Sequence, residues 1–213
     1  MCAVRRLGMF PLSTVLFPYG LLPLRVFEPR YRALTVDCLA GDREFGVVLI
    51  ERGSEVGGGD QRVDLGTLAR IEKATPFPDG RWGVIARGAG RVRVVEWLAD
   101  DPYPLAMVED LSDPLPTGDG ARAPLAAAEA AVRRARGLLS ELRDTPPLPP
   151  PPLPGADILE QSWRLCADLP LNPFDRQRLL AADDLAARLE ALTELAVDLA
   201  SDLTHLLSGE PGS

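Results

Sequence analysis

The sequence predicts an α+β fold with a β-rich first part, residues 1–113, and a helical second part, residues 114–213. Short β-branched runs punctuated by Gly, Pro and Asp dominate the first part. In the second part, apolar residues recur three and four positions apart, which is the spacing of one helix face. Of the 213 residues, 46% are hydrophobic and 25% charged, the balance of an ordinary globular protein of one or two domains.

Seven segments of the first part have the composition of strands, and one has the signals of a helix. The helix, Pro29–Leu39, begins with proline at its first position, where a missing N–H costs nothing, and ends near Gly41. The turn residues Pro78–Gly80 and Gly88–Gly90 each separate two strands. The predicted strands are Met9–Leu12, Leu22–Phe27, Phe45–Glu51, Val63–Lys73, Arg81–Arg87, Arg91–Leu98 and Leu105–Glu109.

The second part predicts a helical bundle interrupted by a proline-rich spacer. Asp157 with Glu160 resembles a capping box, and Asn172 before Pro173 is a second helix start. Residues 146–154 are mostly proline, which favours polyproline II and predicts a stiff spacer or, alternatively, a ligand for an aromatic groove. Two apolar stripes mark the longer helices: Leu125, Ala128, Val132, Ala135, Leu139 and Leu142, then Leu185, Leu189, Leu192, Ala196, Leu199, Leu203 and Leu206.

The charge balance argues against a dedicated nucleic-acid binder. The formal net charge is −8 and the sequence pI is about 4.8, whereas DNA-binding proteins neutralise phosphates with excess positive charge. The acidity is concentrated in the helical part. We therefore expect no DNA partner. The apolar runs, such as Gly46–Ile50, are too short to span a bilayer, so we expect no membrane partner.

The residues that most often carry catalysis and metal binding are scarce. Cys2, Cys38 and Cys166 are far apart and form no CxxC pair, which predicts reduced thiols in a cytoplasmic protein and no metal site. The single histidine, His205, lies at the end of the last predicted helix without a nucleophile motif near it. No Walker loop or dinucleotide-binding loop is present. The sequence therefore predicts no catalytic residue, no cofactor and no enzyme.

An ordered series of short motifs resembles the N-terminal substrate-binding domain of the Lon ATP-dependent proteases. The resemblance spans residues 7–111 and continues through Leu171–Leu192. Its members are Phe10-Pro11-Leu12, Val15-Leu16-Phe17-Pro18, Leu22-Pro23-Leu24, Phe27-Glu28-Pro29-Arg30-Tyr31, Phe45-Gly46-Val47-Val48-Leu49, Gly66-Thr67, Asp79-Gly80-Arg81, Gly88 with Arg91, Pro102-Tyr103 and Asp175-Arg176-Gln177.

The resemblance implies a PUA-like β-barrel that carries one inserted helix and is followed by an all-α helical bundle. A full Lon protease adds an AAA+ ATPase and a protease domain with a Ser-Lys dyad. Because this chain has no Walker loop, we expect a free-standing bacterial protein of the substrate-binding type. The implied partners are unfolded or tagged polypeptides and a protease or chaperone, with the chain itself a monomer or a weak homodimer.

Two groups of residues are candidates for substrate binding. In the first group, Glu28, Arg30 and Tyr31 either fix the start of the helix or contact a polypeptide. The second group is an arginine run without an intervening acid, which forms either a solvated sheet face or a surface for an acidic or unfolded segment. Its members are Arg81, Arg87, Arg91 and Arg93, together with the aromatic Trp97.

Four functions remain open, one of which, hydrolysis at an unrecognised active site, has no visible catalytic motif behind it. The leading hypothesis is a non-enzymatic polypeptide-binding module that serves as an adaptor in protein quality control. The first alternative is an RNA-binding PUA-like protein, which would use the arginine run. The second alternative is a structural or interaction protein that acts through its helical bundle.

Overall fold

The computed structural model describes residues 4–52, 61–113, 118–144 and 157–208. It confirms the α+β class. The predicted spacer at 146–154 lies outside the described residues. The polypeptide divides into two compact units, Met1–Ser112 and Asp113–Ser213.

The described residues of unit 1 form six strands and one helix. The helix, α1, runs from Pro29 to Ala40, so the predicted helix is confirmed within one residue. Proline at its first position fixes the backbone for the first turn. The strands are β1 (Val4–Leu12), β2 (Leu21–Val26), β3 (Glu44–Arg52), β4 (Gln61–Pro76), β5 (Trp82–Leu98) and β6 (Leu105–Leu111).

The strands form one mixed sheet with the order β2-β5-β4-β3-β1-β6 and an additional pairing between β5 and β6. The β1–β3 pair is parallel and the other pairs are antiparallel. β5 pairs with β4 along one edge. Its other edge pairs first with β2, over residues 82–87, and then with β6, over residues 91–98.

The predicted turn at Gly88–Gly90 is wrong, because β5 continues through these residues. A register shift in the β4–β5 pairing marks a bulge where the partner changes from β2 to β6. The backbone N–H of Tyr19 donates to the Gly88 oxygen, and the Gly88 N–H donates to the Gly20 oxygen. A Cβ at residue 88 would lie 2.3 Å from the Phe17 carbonyl oxygen, so only glycine admits this close approach of the β1–β2 connection.

The core of unit 1 has two parts. One lies between α1 and the sheet and includes Tyr31, Leu34, Val84 and Ala86. The other is built from β1, β3, β5 and β6 and includes Met9 and Val92. The two halves of β5 therefore bury their inner faces in different clusters.

The described part of unit 2 is helical, with a 3₁₀ turn at Gly118–Ala121 and four α-helices. Asp157 caps α3 by accepting from the Glu160 N–H, and Asn172 caps α4 by accepting from the Asp175 N–H, so both predicted helix starts are confirmed. The helices are α2 (Arg122–Leu142), α3 (Ile158–Ala167), α4 (Pro173–Ala181) and α5 (Leu185–Ser208). None of the helices among the described residues is long and apolar enough to cross a membrane.

A buried cation organises unit 2. Arg188 of α5 is fully buried, and its guanidinium carbon lies 3.6 Å from the centre of the Trp163 ring of α3. Asp113 accepts from Trp163 Nε1 at 2.9 Å and from Arg188 Nη1 at 3.3 Å. Removing one member of such a buried pair leaves an uncompensated charge, which costs about 3–5 kcal/mol. The contact therefore ties the first residue of unit 2 to two of its helices.

Candidate functional site

The arginine run predicted as one surface is divided along β5. Arg81 precedes the strand, so its assignment to a strand is wrong, and its guanidinium bonds to Asp79 in the same turn at 2.6 Å. This hydrogen bond lowers the pKa of the Asp79 carboxyl. Arg87, opposite β2, pairs with Glu72 of β4 and donates to the Tyr19 carbonyl oxygen at 3.0 Å. Both arginines thus have acidic partners close by.

The remaining members of the run lie beyond the bulge, opposite β6. Arg93 is exposed and pairs with Glu109 of β6 at 3.6 Å, whereas Arg91 is only 6% exposed. Three arginines of the run thus have acidic partners and the fourth, Arg91, is buried, so the run does not form a surface of uncompensated positive charge. The RNA-binding alternative, which depends on that charge, stays a prediction.

Trp97 has an arginine partner that the sequence analysis did not single out. The guanidinium of Arg62 in β4 lies 4.8 Å from the Trp97 ring centre, and Trp97 Nε1 donates to Asp64 Oδ1 at 3.1 Å. Arg62 also reaches Asp100 at 4.0 Å. The partner comes from a neighbouring strand, so neither spacing nor alternation within β5 could have identified it.

The residues at the start of α1 contact one another, and the ring of Tyr31 is buried. Arg30 Nε bonds to Glu28 Oε2 at 3.1 Å, and the Arg30 guanidinium lies 4.5 Å from the Tyr31 ring centre. Glu28 occupies the N-cap position without a side-chain cap hydrogen bond. Tyr31 is 4% exposed and stacks on Phe10 with ring centres 4.0 Å apart. This geometry supports the interpretation that Glu28, Arg30 and Tyr31 fix the helix start.

Several exposed apolar residues of unit 1 lie beside one another on β2, β5 and the turn after β4. Leu21 and Pro23 of β2 point outward, and Ile85 lies directly opposite Pro23 on β5. The Phe77 ring covers Gly83, two residues before Ile85, since a Cβ at residue 83 would lie 3.3 Å from that ring. Leu21, Phe77 and Ile85 are 57%, 47% and 40% exposed. We call Leu21, Pro23, Phe77 and Ile85 the apolar face.

The apolar face was not predicted from the sequence, although one signal for it exists. Residues 21–24 read Leu-Leu-Pro-Leu, and strand alternation places such a run on both faces of its strand. Only one of those faces is covered by the core, in which Leu22 and Val26 are buried. An unbroken apolar run in a strand that is buried on one side therefore indicates an exposed apolar surface.

The described residues offer little that could perform covalent chemistry. Burial raises the pKa of the Cys38 and Cys166 thiols to about 12, so both are protonated and poorly nucleophilic at neutral pH. No group of three His, Cys, Asp or Glu side chains among the described residues is placed to hold a metal ion. The cavity beneath α1, lined by Phe10, Leu34 and Cys38 among others, has a volume of about 10 Å³, room for one water molecule.

Comparison with known families gives a match over most of the chain. The model of the substrate-binding domain of ATP-dependent protease La (LON) matches residues 6–198. The match therefore extends over both units, well beyond the β-rich part that carries most of the sequence motifs.

Two curated relatives illustrate how far the similarity reaches. Lon protease 2 of Herpetosiphon aurantiacus is 30% identical over 201 residues, which cover 88% of this chain and 23% of the relative. Lon protease 2 of Myxococcus xanthus is 35% identical over 109 residues, half of this chain and 13% of the relative. The chain thus spans about a quarter or less of the length of these relatives.

Two solved structures have the same fold. A Lon N-terminal domain protein from Xanthomonas campestris is 29% identical, with a TM-score of 0.64, and the match covers 89% of this chain and 98% of that one. The N-terminal domain of the Mycobacterium avium complex Lon protease is 17% identical with a TM-score of 0.59, over 93% and 99% of the two chains. At 17% identity, the second match supports a shared fold and nothing beyond it.

Proposed function

Because the chain belongs to the family of Lon substrate-binding domains, we propose that it recognises non-native polypeptides and performs no reaction on them itself. The observation that carries the proposal is the apolar face of unit 1. A contiguous exposed apolar surface is costly in water and is typical of an interaction site. Unfolded chains expose the apolar side chains that would cover it, whereas folded proteins bury them.

The proposal extends to the architecture of unit 1 and to the protein that would receive the bound polypeptide. The β5–β6 pairing, which links β5, β4, β3, β1 and β6 in a cyclic order, supports a PUA-like barrel for unit 1. The chain would act as an adaptor in the bacterial cytoplasm and pass bound polypeptides to a separate protease or chaperone. Arg81 and Arg87 lie at the ends of β5 residues 82–86, beside the apolar face, but each is already paired with an acidic residue of this chain, so the apolar side chains would supply the contact.

The test compares two exposed aliphatic residues of the same strand. Ile85 belongs to the apolar face, whereas Val95, 56% exposed, lies in the half of β5 that pairs with β6. The probe is reduced, carboxymethylated lactalbumin, a permanently unfolded protein, with binding measured by fluorescence anisotropy. We expect Ile85→Asp to weaken binding at least about tenfold, because burying such a side chain contributes about 1.5–3 kcal/mol. Val95→Asp should leave the affinity unchanged.

Two results would contradict the proposal. One is the absence of saturable binding by the wild-type chain to this and other unfolded proteins. The other is equal weakening by both substitutions, which would show that the apolar face is not the contact. Circular dichroism and thermal melting of each variant establish that the comparison is made between folded proteins.

A further inference from the structure

We infer that the free edge of β2 binds an extended polypeptide segment as an additional strand, an inference that rests on the proposed function. Among the described strands, β2 pairs with β5 alone and ends the sheet. Edge strands present unpaired N–H and C=O groups that can pair with another chain. Strand addition of this kind is one of the recurrent modes of peptide recognition.

The pairing register shows which backbone groups of β2 point away from the sheet. Leu21 is opposite Arg87, and the Gly88 N–H donates to the Gly20 oxygen. In an antiparallel pair this pattern makes Leu21 and Arg87 a non-hydrogen-bonded pair, so the backbone groups of Leu22 face β5. The alternation then directs the backbone groups of Leu21, Pro23 and Arg25 toward the open side.

The outward backbone groups of β2 can pair with an added strand, although the missing N–H of Pro23 limits the number of hydrogen bonds. Leu21, Pro23 and Arg25 each offer a carbonyl oxygen, and Leu21 and Arg25 also offer an N–H. None of the backbone hydrogen bonds found outside the regular elements of the described chain involves these residues. Pro23 has no N–H and sits on the open side, the position in which a sheet edge tolerates proline. The edge can therefore accept a strand while pairing weakly with copies of itself.

The side chains around this edge indicate the chemistry of the bound segment. Its side chains on the outer face would pack beside Leu21 and Pro23 and extend the apolar face. Arg25 on β2 is exposed and has no ion-pair partner among the described residues. The fitting occupant is an extended segment with apolar side chains at alternate positions and an acidic side chain near Arg25.

Backbone methylation tests strand addition directly. The probe is a seven-residue peptide of alternating Val and Thr with Glu at one end, used to displace fluorescent carboxymethylated lactalbumin from the full chain. Two further peptides carry N-methyl groups at odd or at even positions. In an added strand, alternate N–H groups point to β2 and the others to solvent. We expect one methylated peptide to compete at least tenfold more weakly and the other to compete like the parent.

The outcomes separate this inference from the proposed function. If both methylated peptides compete alike, or if the parent peptide fails to displace bound lactalbumin, strand addition is wrong while polypeptide recognition stands. If lactalbumin itself does not bind, the proposed function is wrong as well. A charge reversal adds a second readout. Arg25→Glu should weaken the binding of the peptide that carries Glu, and a peptide with Lys in place of that Glu should bind the variant with the original affinity. No recovery would overturn the assigned position of the acidic side chain.

Discussion

The two halves of β5 share one strand and one neighbour, β4, yet they differ in what lies on their second edge. The first half pairs with β2, which ends the sheet, and its exposed Ile85 is part of the apolar face. The second half pairs with β6, which in turn pairs with β1. Its exposed Val95 is followed by the exposed Glu96, and Arg93 is paired with Glu109. The proposed recognition of polypeptides therefore belongs to the half that borders the open edge.

The largest expected effect comes from breaking the junction between the halves. Gly88→Val places a side chain against the Phe17 carbonyl and within 3.0 Å of the Pro18 Cα, both of which are backbone atoms. We expect a loss of about 3 kcal/mol in the free energy of unfolding, the upper range for overpacking a tight site. Denaturant titration measures the loss.

Gly90→Val is the matched control, since no atom lies within 4 Å of a Cβ at that position. It adds the same side chain to the same bulge and should change stability by less than about 1 kcal/mol. Equal losses for the two variants would show that the bulge needs glycine for its conformation and that the approach of Phe17 is irrelevant.

The same junction shows where prediction from sequence stops. The helix caps at Asp157 and Asn172 were predictable because each bond joins residues three apart. Glycines at 88 and 90 look like a turn locally, but Gly88 is required by a segment about 70 positions earlier in the chain. Composition and spacing carry no information about such a contact, so the strand was predicted as two.

Prediction of the candidate site was limited for a related reason. The arginine run was visible in the sequence, but its neutralising acids come from the turn at Asp79 and from other strands, Glu72 and Glu109. The register of the strands decides which acid lies beside which arginine, and a shift of one residue would move every side chain of a strand to the opposite face of the sheet. The Lon-type motifs identified the family, whereas the apolar face emerged only from the exposure of Leu21 and Ile85.

A second prediction distinguishes the inner faces of the two halves by the way the free energy of unfolding depends on pH. The first half packs on a cluster that contains Cys38, whose pKa burial raises to about 12 from 9.0. The cluster behind the second half consists of Leu, Met, Val and Ala buried residues. Above pH 9 the unfolded state releases the thiol proton and the folded state keeps it. Stability should therefore fall as pH rises, by up to about 1.4 kcal/mol per pH unit from this thiol.

The measurement is the free energy of unfolding between pH 9 and 10 in a Cys166→Ala background, because Cys166 in unit 2 has a similarly raised pKa. Cys38→Ala should reduce the slope with pH by about half a proton at pH 9 and by nearly one proton at pH 10. Below about pH 8 both forms should show the same dependence on pH. An unchanged slope would mean that Cys38 is accessible enough to ionise in the folded protein.

The smallest expected effect concerns the ion pairs, and it tests whether charge distinguishes the halves at all. Arg87–Glu72 and Arg93–Glu109 are partly exposed pairs, one in each half, for which double-mutant cycles give about 0.2–1 kcal/mol. We expect similar coupling energies that fall with added salt. Arg87→Ala should nevertheless cost about 1 kcal/mol more than Arg93→Ala, because Arg87 also donates to the Tyr19 carbonyl. A much larger coupling at Arg87–Glu72 would mean that electrostatics, rather than the apolar face and the open edge, sets the first half apart.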